Sequence, residues 1–302
     1  MPKYSFTKPV SVSAPCQSHI TICHRLAGYD FPWELNRALE LAVLRTFCVP
    51  RIAQLLHQTG EFERRPQKRY DNTGLILSNI MKWGYDSPQG QAAIAAMNRV
   101  HRCYLICNED FLYVLSVLIY EPIRWNQHYG WRLFTEREKL ALFEFWQVVG
   151  HRMNIANIPP TFTAFEEFNQ AYEAQNFRYS PANRAVGDAV VALMQSWFPT
   201  ILAPLIPTII RALVDKPMRA ALGWPEPTPK VRWCICQALR WSRHGVGWLP
   251  RRRYPHFLVD TPNTTYPEGY RLAALEANGT EPSLPVSHCP FLRMQTLFKA
   301  RT

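Results

Sequence analysis

Helix punctuation recurs along this sequence from end to end, whereas runs of alternating apolar and polar residues do not. That contrast constrains the fold more than any single motif, because a strand with one buried face needs the two-residue alternation. In "FPWELNRALELAVLRTFCVPRIAQLLHQTG" the apolar residues Leu35, Ala38, Leu39, Ala42 and Val43 follow helical spacing. Pro50 is expected to kink or split this helix and Gly60 to stop it. A short helix over "NTGLILSNIMKWG" should end at Gly84, and the next should open with Ser87 as cap and Pro88 at its first position. Another should run from Asn108 or Asp110 to near Pro122. Capping boxes are expected at Thr135 to Glu138 and at Thr163 to Glu166, and a further Ser-Pro start at Ser180 and Pro181. The fold class is therefore all-α.

A chain of 302 residues can bury one sizeable core. The helical pattern dissolves at about residue 245 into "PRRRYPHFLVDTPNTTYPEGY", rich in proline and aromatics. The expected organisation is an N-terminal extension over 1–30, one helical domain over 31–245, and an irregular extension over 246–302 that wraps the domain and can close a pocket.

The N-terminus lacks a continuous apolar run, so neither a signal peptide nor an N-terminal anchor is expected. The eight cysteines have no compact spacing, which suits a reducing compartment, and a cytoplasmic location follows as the default expectation. The most apolar stretch, 194–215, is interrupted by Pro199, Pro204 and Pro207, which disfavours a straight transmembrane helix.

The net charge of +11 is concentrated: between Arg211 and Arg253 stand ten Lys or Arg against two acids. Such a segment suits an anionic partner. Four tryptophans lie within it, but no nucleic-acid module accompanies them, and the adjacent apolar run fits lipid better. Peripheral contact with an anionic membrane through 194–253 is expected, and no nucleic-acid partner.

Several site chemistries drop out. None of the sixteen glutamates has a histidine three residues on, which excludes the helical di-iron pattern. His101, Cys103 and Cys107 are spaced so as to spread around a helix, not to gather on a metal. The usual serine-nucleophile and phosphate-loop signatures are absent. His101 remains on an apolar face with Met97 and Tyr104, and an imidazole there is either a hydrogen-bonded core residue or an axial ligand to haem iron. Arg69 and Thr73 share a face one turn apart. Together they suit an oxyanion, a haem propionate or dioxygen, or more simply a salt bridge and a cap.

The order of "RYDNT", "NRVHRCYLICNEDFLYVLSVL", "YEPIRWNQHYGWR", "TEREKLALFEFW" and "VGHRMNIANIPPTF" resembles the rubber oxygenase (latex-clearing protein) family, and within it the MpaB-like branch of the mycophenolic-acid pathway. The similarity is firmest over about residues 60–190 and continues more weakly into "YPEGYRLAAL". The resemblance implies a globin-like helical body holding haem b. His101 matches the iron ligand, and Arg69 and Thr73 match the distal pair; Met97 and Tyr104, from the His101 face, are the other expected cofactor contacts. It implies an enzyme that uses molecular oxygen to cleave a carbon–carbon double bond of a lipophilic isoprenoid or polyunsaturated alkene into carbonyl products. Two positions depart from the family pattern: Asn72 stands where latex-clearing members carry a basic residue, and their catalytic glutamate has no clear counterpart. Glu61, Glu63 and Asp71 are the candidate proton acceptors. The other expectation kept open is a helical lipid-binding or membrane-surface protein that has lost haem.

Overall fold

The computed structural model describes residues 18–248, 250 and 252–275. Residues 1–17 of the expected N-terminal extension and 276–302 of the C-terminal one lie outside the described residues. Among the described residues the regular structure is wholly helical, as the punctuation predicts, in thirteen α-helices: α1 His19–Arg25, α2 Pro32–Thr46, α3 Pro50–Thr59, α4 Glu61–Arg64, α5 Pro66–Trp83, α6 Pro88–Arg102, α7 Asn108–Tyr129, α8 Glu136–Arg152, α9 Phe162–Asn176, α10 Pro181–Ser196, α11 Ile206–Leu213, α12 Lys216–Leu222 and α13 Pro229–Trp248.

The local chemistry operates at most of the expected ends. Pro50 separates α2 from α3, and Gly60 stops α3 in the left-handed conformation at φ 63°. Ser87 and Ser180 accept backbone N–H bonds from Gly90 and Asn183, and the Thr135–Glu138 capping box is complete.

Three boundaries differ from expectation. Helix α5 begins at Pro66, because proline at the first position is preset for helix although the turn after it has no apolar period to reveal it. Helix α7 continues through Pro122 to Tyr129. The lost N–H bond there costs about 3 kcal/mol, which burial of this helix on several sides outweighs. The second capping box does not form: Thr161, not Thr163, caps α9, its hydroxyl accepting from the Ala164 N–H at 3.2 Å. The Phe162 ring packs edge-on against Tyr120, whose hydroxyl donates to the Phe162 carbonyl, and this fixes the earlier start.

Helix α7 packs against α2, α8 and α9. On one side a core containing Ile80, Ile119, Phe145 and Trp146 joins α5 to α8. On the other, Leu44, Val186, Leu222 and Trp224 join α2, α10 and the segment around α12. Between them lies a buried charge node. Arg45 reaches Glu121 at 2.9 Å, Glu173 at 2.9 Å and Asp215 at 2.6 Å, tying α2 to α7, α9 and the start of α12.

The described part of the C-terminal extension lies across α5. Tyr266 donates to Asn72 at 2.8 Å, the Asn72 amide donates to the Leu275 carbonyl at 2.8 Å, and Asn79 donates to the Tyr270 hydroxyl at 2.8 Å. Glycine permits this close approach at Gly74, where a Cβ would stand 2.6 Å from Leu258.

Candidate functional site

Helices α5 and α6 are joined by a tight turn and pack side by side, so the last turn of α6 faces the first half of α5. Between them and α2, α3 and α7 is a cavity of about 360 Å³. His101, Met97 and Tyr104 line it from α6 and the turn after it, and Arg69 and Thr73 line it from α5. The five residues expected to form the cofactor site therefore face one space, although they come from two separate helical segments.

Within that space the imidazole of His101 stacks edge-on against Phe111, with ring centroids 5.2 Å apart. Its Nδ1 is buried and has no hydrogen-bond partner among the described residues. Burial, and then the charge of Arg69, push the imidazole down to about 4, so it is neutral at physiological pH. A neutral imidazole with an open nitrogen is the form that binds a metal. A core histidine would satisfy that nitrogen.

The Arg69 guanidinium donates to the Thr73 hydroxyl at 2.6 Å, and that hydroxyl donates to the Arg69 carbonyl at 3.0 Å. The guanidinium also lies 5.5 Å from the centre of the Phe62 ring. Burial lowers its pKa, and it forms no salt bridge with a described residue. Lys68, one residue earlier, also lines the cavity and likewise has no ion-pair partner among the described residues. Two adjacent cations with no ion-pair partner among the described residues on one cavity wall suit an anionic ligand.

A second, smaller chamber of about 100 Å³ adjoins the first. Phe62, Arg69, Thr73, Leu77, Leu118 and Trp146 line both, so the Arg69–Thr73 pair stands in the wall between them. The small chamber is mostly apolar, bounded by α2, α5 and α10, and capped by His256, Phe257 and Leu258 of the C-terminal strap.

The candidate carboxylates separate here. Glu61 lines the larger cavity, with its Oε1 accepting from Arg65. Glu63 does not line either cavity; it pairs with His57 at 2.7 Å. Asp71 is buried elsewhere, accepting from Gln67 at 2.9 Å and from Thr265. Two residues along a helix point about 200° apart, so Asp71 turns away from the face that carries Arg69. The structure therefore does not bring Glu63 and Asp71 to the cavity that His101, Arg69 and Thr73 line.

A carboxylate that sequence reasoning missed is Glu40 of α2, which lines the small chamber. Arg37 and Tyr70 both donate to its Oε1 at 2.6 Å, and Oε2 has no hydrogen-bond partner among the described residues. Burial raises the carboxyl above its ordinary range, against the pull of Arg37 and Tyr70. Nothing local distinguishes Glu40 from the surface acids of an amphipathic helix, so no sequence signal marks it.

Residues 37–248 match the family described as ER-bound oxygenase mpaB/B'/Rubber oxygenase, catalytic domain. The chain is 27% identical over 225 residues to the ER-bound oxygenase mpaB' of Penicillium brevicompactum, covering 68% of this chain and 52% of that protein. It is 27% identical over 231 residues to ER-bound oxygenase mpaB of the same organism, covering 66% and 58%. For ER-bound oxygenase mpaB of Penicillium roqueforti (strain FM164) the identity is 25% over 221 residues, covering 66% and 73%. The chain thus spans little more than half the length of the two relatives from Penicillium brevicompactum. With the match extending over most of the helical body and across every residue that lines the His101 cavity from α2 to α8, the chain belongs to the mpaB/rubber oxygenase catalytic-domain family.

Proposed function

We propose that this chain is a haem-dependent oxygenase that cleaves a carbon–carbon double bond of a lipophilic alkene, an isoprenoid or other polyunsaturated chain. The observation that carries the reading is the neutral imidazole of His101, its Nδ1 without a partner among the described residues, in one cavity with Arg69 and Lys68, which have no ion-pair partner among those residues, beside an apolar chamber that shares its wall. The residues present fit a haem. His101 would hold its iron and Lys68 would meet a propionate, with Met97, Tyr104 and Phe111 lining the space around it. Bound haem supplies the redox chemistry that activates dioxygen.

The protein's part is placement and charge. The small chamber would hold the alkene out of water, with Leu77, Leu118 and Trp146 against its chain. Arg69, oriented by Thr73, would stabilise negative charge developing on oxygen during cleavage, and Thr73 would donate a hydrogen bond there once its hydroxyl turns from the Arg69 carbonyl. Glu40 Oε2 would accept an allylic proton and return it, burial making this carboxylate a stronger base than an exposed one. The two oxygen atoms of dioxygen end in the two carbonyl products, so the reaction needs no further oxidant. The names of the relatives, oxygenases all, support the reaction class.

The absorption spectrum of protein purified after haem-supplemented expression tests this reading. A Soret band that shifts on reduction, with carbonyl products from a polyprenyl substrate in air and none under argon, is expected. Protein that takes up no haem would instead favour the lipid-binding alternative.

A further inference from the structure

Two exposed apolar features flank α11. The first is the stretch between α10 and α11. From Ala189 to Ile210 the sequence carries no charge, and Phe198, Ile201, Leu202 and Leu205 are exposed within it, Ile201 at 86%. The second is α13, which packs along α11. At about 100° per residue, Lys230, Trp233, Arg240 and Trp241 fall within one arc of about 100° on this helix. All four are exposed, Trp233 at 64% and Trp241 at 76%. Leu239 is on the opposite side and joins the core formed with α10 and α11, while Cys236 meets the Tyr129 hydroxyl at 3.5 Å. The outer face of α13 thus combines tryptophan with lysine and arginine, and the helix carries no acid.

We propose that the outer face of α13 and the 198–205 stretch form a docking surface for an anionic lipid bilayer. An uncharged stretch with four large apolar side chains is costly to leave in water, and a bilayer removes their area from it. Tryptophan settles at the headgroup level, where lysine and arginine beside it meet lipid phosphate. Among the described residues no helix is long and apolar enough to cross a membrane, so this contact lies on the surface. The placement also has a use. Leu193 and Met194, in the last turn of α10, line the small chamber, and the exposed stretch begins within a few residues of them. A lipophilic substrate dissolved in the bilayer would therefore meet the protein beside the chamber. That last link rests on the proposed oxygenase reading; the docking surface itself does not.

The test uses the full chain with phosphatidylcholine vesicles, with and without phosphatidylserine. Co-sedimentation is expected only where phosphatidylserine is present, falling as salt rises. Lys230→Gln and Arg240→Gln should each weaken it about fivefold. Ile201→Ser with Leu202→Ser should abolish it, and brominated lipid should quench tryptophan fluorescence of the wild type but less that of Trp233→Phe with Trp241→Phe. Circular dichroism of each variant checks folding, and an unchanged haem content in these variants separates loss of docking from failure of the oxygenase reading. Equal sedimentation with both vesicle types, or no effect of these substitutions, overturns the proposal. So does a single-stranded oligonucleotide bound with loss in the same variants while vesicles are not, or a wild-type dimer that the Ile201 and Leu202 substitutions convert to monomer without vesicle binding.

Discussion

Arg69 and His101 face one cavity from neighbouring helices, and the guanidinium's charge adds to burial in holding the imidazole neutral. Each therefore conditions the other: a protonated His101 beside Arg69, which has no ion-pair partner among the described residues, would place two like charges in one cavity. On the proposed reading His101 ligates and Arg69 meets an anion.

Replacement of His101 by alanine is expected to give folded, helical protein with little haem. Loss of the ligand should weaken retention by more than the roughly 10- to 100-fold that follows loss of a supporting partner at a metal site. Exogenous imidazole should restore part of the Soret band. A wild-type spectrum in His101→Ala would remove the assignment.

Arg69→Leu and Thr73→Val should lower turnover by about 10²- to 10³-fold, the effect of removing one preorganised donor. Their unfolding midpoints should move little, because Arg69 forms no ion pair with a carboxylate among the described residues. Steady-state rates alongside urea unfolding decide this, and full activity in both variants would place the pair outside the reaction.

Glu40 carries a carboxyl raised by burial, so the folded protein holds this proton more tightly than the unfolded chain does. Its contribution to stability is complete below the ordinary carboxylate range and is lost as pH rises through the raised value. Glu40→Gln should consequently be more stable than wild type at neutral pH. The same substitution should remove the acidic limb of the rate profile and cost about 10²- to 10⁴-fold in rate. Unfolding at two pH values and a pH–rate profile measure both effects.

Arg45→Met should destabilise the protein by about 3–5 kcal/mol, since it strands buried Glu121 and partly buried Glu173 without their cation. Adding Glu121→Gln should recover part of the loss. Denaturant unfolding followed by circular dichroism reads the change, and an effect below about 1 kcal/mol, the level of an exposed pair, would show that the node contributes only as a surface bridge does.

The helices and the Arg69–Thr73 pair are legible in the order of residues, because caps, proline starts and one-turn spacings act within four or five positions. Ser87, Thr135 and Ser180 work wherever the rest of the chain goes. The larger assembly depends on contacts that no local window contains. Pro122 reads as a stop yet lies within α7, because packing on several sides outweighs one missing bond. Asp71 and Glu40 look alike as acids on amphipathic helices, but Asp71 is taken up by Thr265 of the strap, while Tyr70, thirty residues from Glu40, holds that carboxylate at the chamber wall. Which acid reaches the chamber is settled by tertiary packing: side-chain direction follows from the helix, but what stands opposite it follows from how distant helices share the core.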